Sequence, residues 1–148
     1  MKVLDLNLLL YAVNRDAPQH TRAKGWLDQT LSGEETVALP WIVVLGFLRV
    51  ATHPRVLPRP LSAEQALGVV DGWLARRNVV TLQAGDDHWP VLRSLLSASG
   101  TAGNLTTDAH LAALAIESGC ELCSTDSDFG RFKNLRWVNP IAGPLPTD

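Results

Sequence analysis

The sequence predicts an α/β domain of three layers around a mainly parallel central sheet. Short apolar runs alternate with longer amphipathic ones along the chain, which is the pattern of strands joined by crossover helices. Several amphipathic runs also open or close on a capping residue. The length, 148 residues, suits one domain with one core.

Taken in order, residues 1–4 form a short apolar strand that ends at Asp5. Asn7 is placed to cap a helix through Leu8, Tyr11 and Ala12. A second helix spans His20 to Leu31, with Ala23, Trp26, Leu27 and Leu31 on one face and Ser32-Gly33 closing it. Thr36 to Leu39 reads as a strand, and Pro40 suits the first turn of the very apolar helix WIVVLGFLRVAT. Ser62-Ala-Glu-Gln65 has the form of a capping box for a helix through Ala66, Val69, Val70, Trp73 and Leu74. Val79 to Leu82 is a strand, and Asp87 opens a helix through Val91, Leu92, Leu95 and Leu96. The Ala-rich segment 106–118 is the clearest helix and stops at Gly119; strands at 121–124 and 135–138 complete the pattern. A single domain over 1–141 is expected, followed by a short Pro-rich tail over 142–148.

Composition narrows the function. Hydrophobic residues make 46% and charged residues 19%, an ordinary globular balance, and the net charge of −2 carries no overall basic signature of a nucleic-acid binder. The apolar N-terminus holds Asp5 and Asn7 and lacks a small-residue cleavage site, so it is not read as a signal peptide. No apolar run is long enough for a membrane span, and a cytoplasmic protein without membrane contact is expected. Cys120 and Cys123 have C-x-x-C spacing, but no second pair completes a zinc site and the histidines are scattered at 20, 53, 88 and 110. Two buried thiols in a strand are expected.

Aspartates fall where a parallel sheet gathers its functional groups, beyond the carboxyl ends of its strands. Asp5 ends the first strand, Asp126 and Asp128 follow the strand at 121–124, and Asp108 stands in the first turn of the Ala-rich helix. Each alone is readily a cap or turn residue. If they converge, their repulsion must be relieved by raised pKa values or by a cation. Oxygen-only donors suit Mg²⁺, with Mn²⁺ as a substitute, and such ions support hydrolysis of phosphodiesters by activated water. A phosphatase of the haloacid-dehalogenase type also places an Asp after its first strand. That chemistry wants a second Asp where Asn7 stands and a lysine in mid-chain, yet none occurs between Lys24 and Lys133.

Three segments, DLNLLLYAV at the start, TTDAHLAALAIESG in the middle and STDSDFGRF near the end, closely resemble the PIN domain, in particular the VapC-type toxins of bacterial toxin–antitoxin pairs. The resemblance runs in order across nearly the whole chain. It implies a three-layer α/β/α PIN-like domain and a Mg²⁺-dependent endoribonuclease acting on single-stranded regions of tRNA, rRNA or mRNA. It also implies a cognate VapB-like antitoxin and a homodimer. Carried over by position, Asp5 and Asp108 would be catalytic metal ligands and Asp126 a further one, with Asp128 either a ligand or a brace for the turn before Phe129. Asn7 and Thr125 would orient carboxylates or water from behind them. RNA would be met by Arg49 and Arg55, grouped with Arg59, and by Arg131, followed by Lys133 and Arg136. One departure from the pattern stands out. PIN domains commonly carry a glutamate in the helix after the second strand, whereas this chain has no acid between Glu35 and Glu64 and places Gly46 near that position. A degenerate domain that binds RNA or an antitoxin without cleaving is therefore the alternative.

Overall fold

The computed structural model describes residues 1–143. Five strands, β1 (Lys2–Leu4), β2 (Val37–Pro40), β3 (Val79–Leu82), β4 (Glu121–Cys123) and β5 (Arg136–Val138), form one sheet in the order β3-β2-β1-β4-β5. Every pairing is parallel, and Val3 of β1 stands opposite Ala38 of β2 and Leu122 of β4. Six helices connect the strands: α1 (Leu6–Val13), α2 (His20–Leu31), α3 (Trp41–Ala51), α4 (Ala63–Leu74), α5 (His88–Ser99) and α6 (Thr106–Glu117). The expected α/β architecture is thus present, with a sheet that is parallel throughout.

The strand order explains the layering. From β1 the chain steps outward to β2 and then β3, so right-handed crossovers put α1–α4 on one face. From β3 it returns across the sheet to β4, which reverses the step and puts α5 and α6 on the other face. The turning point lies between β1 and β4. Burial follows position in the sheet. All four residues of central β2 are buried, whereas edge strand β3 is half-buried or exposed throughout. Val3, Leu4, Leu39 and Leu122 are fully buried, and Phe47 of α3 meets Trp73 of α4 edge-on at 4.7 Å.

Local signals held with one correction. Ser62 and Gln65 form the capping box reciprocally, at 3.1 and 2.9 Å. The cap of α1, however, is Asp5 and not Asn7: Asp5 has the extended backbone of a cap, and its Oδ1 accepts the Leu6 N–H at 2.7 Å. Asn7 lies inside the first turn, which frees its amide for other work. Both cysteines are buried free thiols, and burial pushes Cys123 up to about 12, far from a reactive thiolate. No helix among the described residues is long and apolar enough to cross a membrane. Of the expected tail, residues 144–148 lie outside the described residues.

Candidate metal centre

Parallel strands deliver their following residues to one edge of the sheet, and the crevice at the turning point is where they converge. Asp5 arrives there from β1 and the segment Ser124–Asp128 from β4. The start of α6 brings Asp108 over the same edge. Donor oxygens of Asp108, Asp126 and Asp128 all lie within 4.8 Å of one another.

Asp5 is held just behind this group. Its Oδ2 accepts the hydroxyl proton of Ser124 at 2.6 Å while its Oδ1 caps α1. Ser124, fully buried, is the hub of the network: its Oγ also accepts the Asn7 amide at 3.3 Å and the Asp126 N–H at 3.0 Å. The Trp137 indole N–H of β5 secures the Ser124 carbonyl at 3.0 Å. Asn7 thus meets the segment that carries Asp126, and its Oδ1 accepts the backbone N–H of Thr125 at 3.4 Å. The hydroxyl that touches a carboxylate is nevertheless that of Ser124, one residue before Thr125. In the sequence Ser124 is only the last residue of a strand, placed directly before T-D-S-D; the β1–β4 register, with Leu4 opposite Cys123, is what brings it to Asp5.

Both acids of the late turn stand in the cluster, and one of them also braces the turn. Asp126 is the brace, since its Oδ1 accepts the Asp128 N–H at 2.9 Å and caps a 3₁₀ turn over Ser127–Arg131. Asp128 projects from that turn into the cluster, and Arg131 reaches it only at 3.4 Å.

Electrostatics express the crowding. Burial pushes the Asp108 carboxyl up to about 6; the charges of Asp126, Asp5 and Asp128 add to this, and Arg131 opposes it. Burial also raises Asp5, against the stabilising hydrogen bonds from Ser124 and Leu6 and with a further push from Asp126. Three carboxylates thus crowd together with Asp5 close enough to add its charge, and Arg131 is the cation that opposes them at Asp108. Oxygen donors alone, gathered on rigid elements, fit a hard divalent cation such as Mg²⁺ or Mn²⁺.

No carboxylate comes from α3. Gly46 is buried there, and a Cβ on it would stand 3.1 Å from Cδ2 of Leu6, the residue after Asp5. Of the basic residues expected at RNA, only Arg131 adjoins the acids, with Lys133 beyond it. Helix α3 starts at the carboxyl edge and runs away from it, so Arg49 lies about 13 Å down its axis at the usual rise, and Arg55 follows in the next turn. Arg59 is taken up by a two-pronged pair with Asp16, at 2.8 and 3.1 Å. Arg136 opens β5 at the opposite edge and donates to the Gly119 carbonyl at 2.6 Å.

Fold and site together define a parallel α/β domain with an acidic, cation-fitting pocket at its turning point. The PIN domain family model matches residues 2–135. Ribonuclease VapC37 of Mycobacterium tuberculosis is 44% identical, with 96% of this chain and 99% of that protein covered. Ribonuclease VapC33 of the same species is 45% identical over 95% of this chain and 99% of its own. The chain belongs to the PIN-domain family, among its VapC ribonucleases. Solved structures share the fold at lower identity. VapBC2 from Rickettsia felis, bound to a DNA fragment from its promoter, superposes with a TM-score of 0.67 at 21% identity, covering 93% of this chain and 97% of that one. VapC20 of M. tuberculosis gives 0.67 at 16% identity, covering 92% and 99%.

Proposed function

We propose that this protein is the toxin of a VapBC-type pair, a divalent-cation-dependent endoribonuclease that cuts single-stranded regions of structured RNA in the cytoplasm. The observation that carries the reading is the convergence of Asp108, Asp126 and Asp128 within 4.8 Å at the turning point of the sheet. Such an arrangement is costly unless a cation joins it. Mg²⁺ is the expected ion and Mn²⁺ its substitute. Asp108, Asp126 and Asp128 would hold it, with Asp5 completing the set from behind. When bound, the ion would lower the pKa of its water and offset charge on the phosphate.

The chain's own residues supply position and polarity. Ser124 fixes the carboxylate of Asp5 and the backbone of Asp126, and Asn7 holds Ser124 and the Thr125 N–H, so the donor set is formed before substrate arrives. Arg131 supplies a positive group on the rim for the RNA backbone. A VapB-like antitoxin is the expected partner, as in the VapBC assemblies whose toxins share this fold. A homodimer is the expected assembly. Trp41, Ile42 and Leu45 on α3 and Trp89 on α5 are large exposed apolar groups that suit such an interface.

The test is cleavage of purified tRNA and rRNA with Mg²⁺, with EDTA, and by the Asp108→Asn and Asp126→Asn variants. Wild type with Mg²⁺ should give cuts with 5′-phosphate and 3′-hydroxyl ends, and the other conditions should give none. Cleavage that survives EDTA or Asp108→Asn would overturn the mechanism. RNA binding without cleavage, even with Mn²⁺ added, would assign the degenerate reading that Gly46 favours.

A further inference from the structure

A second cavity opens beside the acidic pocket. It lies between the later half of α5, at Ser94, Ala98 and Ser99, and the segment Arg131–Asn134 that joins the 3₁₀ turn to β5. Its volume is about 500 Å³, within the ~300–1,000 Å³ of small-ligand sites, and its floor is apolar, from nearly buried Leu95 and Phe132. Arg131 forms the wall shared with the carboxylates.

Charge bookkeeping singles this cleft out. An RNA strand that brings one phosphate to four carboxylates must bring the next nucleotide past them as well, and like charges there repel. Some cations elsewhere are committed, Lys24 to Asp28 at 2.7 Å, Arg59 to Asp16 and Arg136 to the Gly119 carbonyl; what sets Arg131 and Lys133 apart is that they line a cavity next to the acids. Arg131 spends one long contact of 3.4 Å on Asp128, leaving most of its five donors open. Lys133 has no ion-pair partner among the described residues. Ser94 and Asn134 add neutral polar groups on facing walls.

We propose that this cleft is a nucleotide subsite: Arg131 and Lys133 take the phosphate adjoining the scissile one, and Ser94 and Asn134 meet its sugar or base above the Leu95–Phe132 floor. This rests on the ribonuclease reading and adds to it a direction for the strand, out along α5.

The experiment has two arms on the full chain. First, a fluorescein-labelled single-stranded RNA of ten nucleotides is bound to Asp108→Asn protein in Mg²⁺, and anisotropy is followed as salt is raised. Adding Lys133→Gln or Asn134→Gly, glycine being suited to the φ of 67° at that position, should weaken binding by about three- to tenfold, and Lys133→Gln alone should lower the salt slope by about one. Both residues are exposed, and matching melting temperatures would show the fold intact. Second, in otherwise wild-type protein, Lys133→Gln should raise KM and leave kcat within about twofold, and shortening a cleaved RNA on one side of the cut should abolish that difference. Binding within twofold of the parent, with an unchanged salt slope, would overturn the subsite. Absence of cleavage by wild type would overturn the ribonuclease reading instead, and the first arm would still decide the subsite.

Discussion

Asp108 and His110 stand two residues apart on α6, about 200° around the helix, and belong to clusters of opposite kind. Asp108 faces three other carboxylates, opposed only by the more distant charge of Arg131. His110 closes a chain in which every inner group is matched. Glu117 accepts the Gly85 N–H at 2.9 Å with one oxygen and His88 Nδ1–H at 2.9 Å with the other. His88 Nε2 in turn lies 2.8 Å from His110 Nδ1, so the neutral chain has one consistent set of tautomers. The side chains of His88 and Glu117 are only 13% and 9% exposed. The relay ties α5, α6 and the loop after β3 together and leaves nothing for a ligand to complete. The carboxylate pocket is unfinished without one. Polar burial by itself says little about function; the balance of donors and acceptors says more.

The comparison breaks most sharply by mutation. Asp108→Asn should reduce cleavage by more than the roughly 10–100-fold that loss of an outer partner costs a metal site. The same change should raise the melting temperature at neutral pH, because it removes a charge that the fold disfavours. Glu117→Ala should do the reverse to stability. It strands the part-buried Nδ1–H of His88 at about 1–3 kcal/mol, a sizeable part of a small domain's total, while the exposed Gly85 N–H can turn to water. Urea unfolding and a cleavage assay on both variants check the pair. A destabilised Asp108→Asn protein would show that the pocket is matched after all.

The two clusters should also pull stability in opposite directions with pH. Asp108 is raised from 3.8 to about 6, so the folded state binds the extra proton in that window and stability falls as pH climbs through it. His110 is lowered from 6.5 by burial and by the facing His88, against Glu117, so its contribution is full above 6.5 and lost as pH falls below it. Relative to wild type, Asp108→Asn should therefore gain stability from about pH 4 to pH 7. His110→Asn should gain it as pH falls from about 7 to 5. Melting curves across this range separate them, and parallel slopes would refute the assignment.

A smaller shift tests the cation itself. Anything that binds only the folded state raises its melting temperature by mass action. Mg²⁺ competes with the proton on Asp108, so the rise should be larger near pH 7.5 than near pH 5. Asp108→Asn should show little rise at either pH.

Much of this was legible in the sequence. Strand and helix periods placed all five strands and six helices, most closely where an element buries a continuous apolar face, as β2 and α6 do. The carboxylates were legible as positions, since a parallel sheet sends the residue after each strand to a common edge. What stayed hidden depends on contacts between distant segments. Ser124 looks like any strand-end serine until β4 is laid beside β1 and its hydroxyl meets Asp5. That Asp126 both joins the cluster and caps the 3₁₀ turn, while Asp128 only joins it, depends on the fold of that turn. Arg49 and Arg55 group with Arg59 in the sequence, yet the direction of α3 carries them away from the carboxyl edge. The His88–His110–Glu117 chain spans 29 residues with no shared motif.

Gly46 offers the finest test, where two small terms nearly cancel. Replacing a glycine inside a helix by alanine stabilises by about 1 kcal/mol. Here the new Cβ would lie 3.1 Å from Cδ2 of Leu6, the far end of a flexible side chain. Overpacking of a buried contact costs about 1–3 kcal/mol when the neighbour cannot move, and less when it can. Gly46→Ala should thus change stability by less than about 1 kcal/mol in either direction. Leu6 directly follows Asp5, so any shift it makes is passed to the carboxylate that Ser124 holds. Cleavage should therefore fall more than stability does. If activity and stability change together, or neither changes, Gly46 is only a packing residue. A selective loss of activity would show that α3 still shapes the pocket with no carboxylate of its own.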